Sequence, residues 1–213
     1  MMKKMVVLLS ALFLSSCSKV QLDQEEMALI ESLGISEQQA IKLKTYAEPK
    51  ALLPLAEPDN GWNTSDLTGI SFNTEERKVP KIFDLRSQLR EDGFLLFRSQ
   101  MNFGYEPEQI SVIKSDDQYD ILRYSGTDGA NYDLLPEDII AKLKEWEERY
   151  PFEITGASLD WLEAELIDKV QDLSELAKEV YEFCPDVVDQ GTGSVEALEK
   201  EMEAERTLYL WWD

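Results

Sequence analysis

Residues Pro136–Leu166, PEDIIAKLKEWEERYPFEITGASLDWLEAEL, decide the fold class. Ile139, Ile140, Leu143, Trp146 and Tyr150 recur at helical spacing behind Pro136, a residue suited to the first helical position, so the spacing predicts an amphipathic helix over residues 137–149. Pro151 ends it. The period then changes: Phe152, Ile154 and Gly156 alternate with Glu153 and Thr155, and Leu162, Ala164 and Leu166 alternate with Glu163 and Glu165. These are two half-buried strands meeting at a turn near Ser158, their polar sides facing water. A helix feeding an antiparallel strand pair places the chain in the α+β class, with helices packed on one face of a mainly antiparallel sheet.

Toward the C-terminus, Leu173, Leu176, Ala177, Val180 and Cys184 form a second helical stripe closed by Pro185, and a further helix runs from about Ser194 to Ala204. Leu208–Trp212 is apolar on both parities, as expected of a strand covered on two faces and lying centrally in the sheet. Toward the N-terminus, Tyr119–Tyr124 and Ile110–Ile113 flank the polar tetrad Ser115–Gln118 and read as a hairpin. From Tyr119 the order is then β-α-β-β-α-(α)-β, the ferredoxin-like split βαβ arrangement with one extra helix. Phe94–Phe97 reads as a strand and Ile82–Leu89 as a helix. Prolines 49, 54, 58 and 80 mark residues 48–80 as a linker with one short strand near Ile70–Phe72. Gln24–Leu33 and Ser36–Tyr46, separated by Gly34, form a small helical hairpin, with Ser36 and Gln39 spaced as a capping box. The expected organisation is a leader over 1–16, tether and hairpin over 17–47, the linker, and an α+β domain over 81–213.

The chain begins with basic residues up to Lys4, then the apolar run Met5–Leu14, then Leu14-Ser15-Ser16-Cys17. The apolar run is a signal-peptide core, too short to span roughly 30 Å of hydrocarbon. Leu14–Cys17 resembles the lipobox of bacterial lipoproteins, which implies cleavage before Cys17 and lipidation of its thiol. The mature protein is then anchored to the membrane through lipid, outside the cytoplasm. In a bacterium with two membranes, Ser18 after the cysteine, in place of Asp, favours the outer membrane facing the periplasm.

With 43 acidic against 21 basic residues, the net charge is −22, which argues against nucleic acid and anionic lipid surfaces as partners. The chain contains no histidine, so Ser-His-Asp and Cys-His catalysis are excluded. Once Cys17 is lipidated, Cys184 is the remaining thiol and no intramolecular disulfide forms. No metal or cofactor site is expected.

Two groups of residues carry the site hypotheses. Cys184, Asp186, Asp189 and Asp213 would bring a thiol and carboxylates together just past a helix end, for acid and base work or for a hard cation. Against this, Cys184 falls on the apolar stripe of its helix, and Asp186 and Asp189 suit turn and cap duties. The second group is a loop, Asn131, Tyr132 and Asp133, with Trp211 and Trp212. The two tryptophans lie on opposite faces of their strand, so at most one lines a pocket. Gly191-Thr192-Gly193-Ser194 lacks the lysine of a phosphate-binding loop and reads as a helix entry.

Gly129-Ala130-Asn131-Tyr132-Asp133, Leu143-Lys144-Glu145-Trp146, Phe183-Cys184-Pro185-Asp186, Asp189-Gln190-Gly191 and Trp211-Trp212-Asp213 resemble, in order, the bacterial domain of unknown function 4253. The resemblance covers about Tyr119 to the C-terminus and brings no assigned catalytic residue. Anchor, acidity and missing histidine together point to a non-enzymatic envelope protein that binds another protein or protects against one. A carboxylate-based hydrolase or metal-dependent enzyme is the competing reading.

Overall fold

The computed structural model describes residues 20–58, 66–167, 170 and 172–213. The leader, Cys17 and Ser18 lie outside the described residues. Strands β1 (Leu53–Pro54), β2 (Gly69–Thr74), β3 (Phe94–Gln100), β4 (Glu108–Lys114), β5 (Phe152–Ala157), β6 (Trp161–Leu166) and β7 (Thr207–Trp211) form one sheet in the order β1-β2-β4-β3-β5-β6-β7. Every neighbouring pair is antiparallel except β3 and β5, which run parallel. The helices are α1 (Gln24–Leu33), α2 (Glu37–Tyr46), α3 (Val79–Phe83), α4 (Arg86–Glu91), α5 (Asp120–Ser125), α6 (Pro136–Glu147), α7 (Leu173–Phe183) and α8 (Val195–Glu205). The class is α+β.

Helices cover both faces of the sheet and not one. The reason is visible in β3, whose Phe94-Leu95-Leu96-Phe97 is apolar at every position and needs cover on each side. Phe94 and Leu96 pack with Ile30, Leu43, Ile82 and Leu89 from α1–α4, whereas Leu95 and Phe97 pack with residues of α5–α8 such as Ile140, Trp146 and Val180. The expected hairpin of α1 and α2 therefore has a structural task. Both of its helices start with capping boxes, Asp23 with Glu26 and Ser36 with Gln39. A buried ion pair between Lys44 and Glu26 joins them, and the Glu26 carboxylate also accepts the Leu52 N–H at 3.0 Å, which ties the hairpin to the chain entering β1.

Four further readings change. Tyr119–Tyr124 is helix α5 and not a strand, because Tyr119, Ile121, Leu122 and Tyr124 are all buried and Gly126, at φ 63°, closes the turn in the left-handed conformation. Its expected hairpin partner, β4, instead lies between β2 and β3, and β2 comes from the stretch that reads as a linker. With the Tyr119–Tyr124 strand gone, the ferredoxin-like interleaving does not form: β5, β6 and β7 are sequential antiparallel neighbours. Finally, β7 is an edge strand, not a central one. Leu208, Leu210 and Trp212 point into the core while Thr207, Tyr209 and Trp211 are only half-buried.

Strand parity decides what lies on the second face. Glu153, Glu165 and Thr207 pair across β5, β6 and β7 on one side, followed on that same side by Glu163 with Tyr209 and Trp161 with Trp211. This is the α1–α4 face, since Arg90 and Arg86 of α4 reach Glu153 and Glu165. Beyond those two arginines the helical cover stops.

A latch and an aromatic groove at the C-terminal strand

The motifs separated in sequence meet behind β7. Trp212 is buried, with Gly129 so close that a Cβ there would come within 3.1 Å of the indole. Trp212 meets Phe183 edge-on at 6.1 Å, and Phe183 meets Trp146 edge-on at 5.6 Å. Beside this aromatic row, Asp186 accepts from the Tyr132 hydroxyl at 2.8 Å, the Gln190 amide at 2.9 Å and the Asp213 backbone N–H at 3.0 Å. Burial opposes ionisation of Asp186, but these hydrogen bonds outweigh it and hold its carboxyl below the usual carboxylate range. Asn131 donates to the Asp213 carbonyl. The whole is a latch that fastens the loop after α5, the π-helical turn Val187–Thr192 and the chain end to one another.

The structure thus brings Asn131, Tyr132, Asp186 and Asp213 together, though Asp213 takes part through its backbone. Asp189 turns away and accepts from the Tyr181 hydroxyl at 3.1 Å, and Asp133, at φ 57°, ends the short 3-10 turn Ala130–Tyr132. Cys184 is fully buried. Its thiol donates to the Trp211 carbonyl at 3.0 Å and accepts the Trp211 N–H at 3.4 Å, sealing the outer edge of β7. Burial pushes the thiol up to about 12, against the hydrogen bond from Trp211, so it stays protonated and unreactive near neutral pH. No group of three His, Cys, Asp or Glu side chains that could hold a metal ion occurs among the described residues. Gly191–Ser194 is a helix entry, in which Ser194 caps α8 by accepting the Ala197 N–H at 3.1 Å.

Trp211 and Trp212 part company as their strand parity requires. Trp212 belongs to the latch; Trp211 faces the uncovered sheet, where a groove of about 800 Å³ opens. Its floor is Trp161, Tyr209 and Trp211, with Arg98 and Glu163 beside them. Trp161 and Tyr209 stack at 6.2 Å and 22°. Gly156 makes room for Trp161, since a Cβ there would lie 2.9 Å from the indole. One wall is α8, through Leu198, Met202, Glu201 and Glu205, with Gly191 and Thr192 before it; the other is the loop after β3, through Met101 and Phe103. Phe103 stands out at that wall, 67% exposed, and its φ of 51° is a left-handed conformation unusual for a bulky residue.

Charge in the groove is one-sided. Arg98 lies 3.8 Å from the fully buried Glu108, which offsets its charge in part. Asp160, Glu163, Glu201 and Glu205 form no ion pair among the described residues. Burial and the charges of Asp160 and Glu163 push the Tyr209 hydroxyl up to about 12, and partial burial with the charges of Asp213 and Asp128 raises Asp160 above the ordinary carboxylate value. Burial is the larger cause in both, and at Tyr209 the Arg98 charge opposes the rise.

Residues 109–213 match the family model described as Domain of unknown function (DUF4253). The match covers just under half of the chain, at its C-terminal end. The match begins ten residues before Tyr119, within β4, and takes in the latch, β5–β7 and most of the groove; Arg98, Met101 and Phe103 come from the strand and loop just ahead of it. No curated protein and no solved structure matches the chain. No helix among the described residues is long and apolar enough to cross a membrane.

Sequence reasoning placed one groove residue, Trp211, among its candidates and missed the rest. The missing signal was cross-strand register. Once Trp161 faces Trp211 and Glu163 faces Tyr209, the alternation in Thr207–Trp212 describes an aromatic face opposite an apolar one. The DUF4253 motifs mostly build the latch, so they mark the frame of the groove more than its lining.

Proposed function

We propose that this is a lipid-anchored envelope protein whose DUF4253 domain binds another protein through the aromatic groove, without catalysing a reaction. The observation that carries the reading is the open groove over β6 and β7, where Trp161, Tyr209 and Trp211 lie on a sheet face that helices cover elsewhere. Large amphipathic rings in a concave, partly apolar site are the usual anchors of recognition. Cys184 and Asp186, two of the candidate groups for chemistry, are committed to fastening the fold.

Anchoring rests on Leu14–Cys17. At most ~3.6 Å per residue, the stretch from Cys17 to the Asp23 cap of α1 spans roughly 20 Å, so the domain works close to the lipid surface. The compartment is extracytoplasmic, and the outer membrane is the favoured site in a host with two membranes. A carboxylate-based hydrolase is the second reading, favoured by one observation: Asp160, with its raised pKa, shares the groove with Glu163.

Cross-linking in native envelopes tests the leading reading, with full-length protein and its Trp211→Ala and Cys17→Ser variants as baits. A partner captured by the wild type and lost with Trp211→Ala is expected, with Cys17→Ser released from membranes. Equal capture by the wild type and Trp211→Ala would remove the groove from the account, and membrane retention of Cys17→Ser would remove the anchor.

A further inference from the structure

Building on the binding reading above, we infer that the groove receives a basic segment of the partner protein, with Lys or Arg side chains laid over the aromatic floor and held by the surrounding carboxylates. Charge complementarity carries this. On the same sheet face, Glu153 and Glu165 are met by Arg90 and Arg86, whereas Asp160, Glu163, Glu201 and Glu205 find no cation of the chain's own among the described residues. The floor adds ring faces, which attract ammonium and guanidinium groups, and the stacked pair Trp161 and Tyr209 offers one continuous surface. Arg98 is the one cation in the groove lining, and its charge reaches Tyr209, but the buried Glu108 carboxylate 3.8 Å away offsets it and the four groove carboxylates outnumber it.

The occupant is a polypeptide segment and not a lone amine, for two reasons. The carboxylates are spread from the β5–β6 turn at Asp160 to the end of α8 at Glu205, along both floor and wall, which suits several cations in a row. Phe103, two-thirds exposed at the opposite wall, offers an apolar contact that an isolated ammonium group does not use. A chain of net charge −22 would also steer a basic partner toward the groove and raise its association rate.

Calorimetric titration of full-length protein in neutral detergent micelles, near 0.15 M salt, tests this with an alternating Arg-Leu octapeptide, the corresponding Glu-Leu octapeptide and N-acetylarginine amide. The Arg-Leu peptide is expected to bind. Glu201→Gln with Glu205→Gln, and separately Phe103→Ser, should weaken it about tenfold, while Glu196→Gln with Glu203→Gln, an equal charge change on α8 outside the groove lining, should alter it less than twofold. Equal loss in the two double variants would reduce the effect to general acidity and overturn the inference. Binding of N-acetylarginine amide as tight as the peptide would make the ligand a small cation and overturn the peptide occupant. Preference for the Glu-Leu peptide, lost with Trp211→Ala, would refute the basic ligand yet leave the groove as a binding site. Binding by none of the probes, together with undiminished envelope capture by Trp211→Ala, would reject both readings.

Discussion

One face of the sheet is treated in two ways. Over β2, β4 and β3, helices α1–α4 bury Phe72, Phe94, Leu96 and Val112 beneath Ile30, Leu43 and Ile82, and α4 sends arginines to Glu153 of β5 and Glu165 of β6. Over β6 and β7, the same face carries aromatic rings and carboxylates beyond the reach of α1–α4, with α8 only along the rim. In the covered part, charges are neutralised within the chain and apolar side chains interlock. In the open part, Tyr209 and Trp211 are half-buried beside a buried Trp161, and Asp160, Glu163, Glu201 and Glu205 form no ion pair among the described residues. The difference separates a region built for stability from one left available to a partner, which is why the account places function at β7.

The largest effect that sharpens this contrast is expected from Lys44→Met. It leaves the buried Glu26 carboxylate without its cation, and denaturant unfolding should register a loss of about 3–5 kcal/mol. Burial alone would raise the Glu26 carboxyl, but the hydrogen bonds from Lys44, Leu52 and Asp23 hold it below its ordinary value. Its stabilising contribution is therefore complete above the unfolded Glu value of about 4.3 and is lost as pH falls through the lower folded value. Wild-type stability should decline in that acid window, and Lys44→Met should decline less.

Next comes the latch. Asp186→Ala removes the acceptor of Tyr132, Gln190 and the Asp213 backbone and should cost about 2–3 kcal/mol, with faster hydrogen exchange in β7 and in Val187–Thr192. Unchanged exchange there would remove the latch from the account. Gly156→Ala acts on the groove itself, since the new methyl would meet the Trp161 indole at 2.9 Å and the Arg98 carbonyl at 3.2 Å. Overpacking of this kind costs about 1–3 kcal/mol, and a change in tryptophan fluorescence should accompany it as Trp161 is displaced from the floor.

The smallest effects belong to the open half. Asp160→Asn removes a charge that burial and the Asp213 and Asp128 carboxylates disfavour, so it should raise the unfolding midpoint slightly. The raised carboxyl destabilises the fold only at pH values above the unfolded Asp value of about 3.9, so the gain should vanish below it. Glu201→Gln with Glu205→Gln, both exposed, should leave stability nearly unchanged. A substantial loss there would mean that the groove carboxylates hold the fold, and the comparison would fail.

Much of the fold was legible because caps, prolines and periodicity are local. α1 and α2 with their capping signals, α6 between Pro136 and Pro151, and the β5–β6 pair can be read from adjacent residues. Tyr119–Tyr124 was not legible as a helix, because its aromatic and branched residues favour a strand locally, while Gly126 and burial on several sides favour the helix. The place of β7 was hidden for a different reason. Apolar side chains at every position suit a central strand, and an edge strand tolerates them here because α7, the π-helical turn and α8 wrap its rim while Cys184 seals its backbone. Of the candidate residues, Asn131, Tyr132, Asp186 and Asp213 do converge, but as fastening. The groove depended on register between strands more than forty residues apart, such as Trp161 with Trp211, which no local pattern specifies.

The most direct test is hydroxyl-radical footprinting of the full-length protein in detergent, read residue by residue by mass spectrometry. The account predicts strong labelling of Phe103, with Tyr209 and Trp211 labelled well above the buried Trp146 and Trp212. Protection of Tyr209 and Trp211 equal to that of Trp146 in the free protein would contradict it, since the groove would then be filled by the chain itself and closed to a partner.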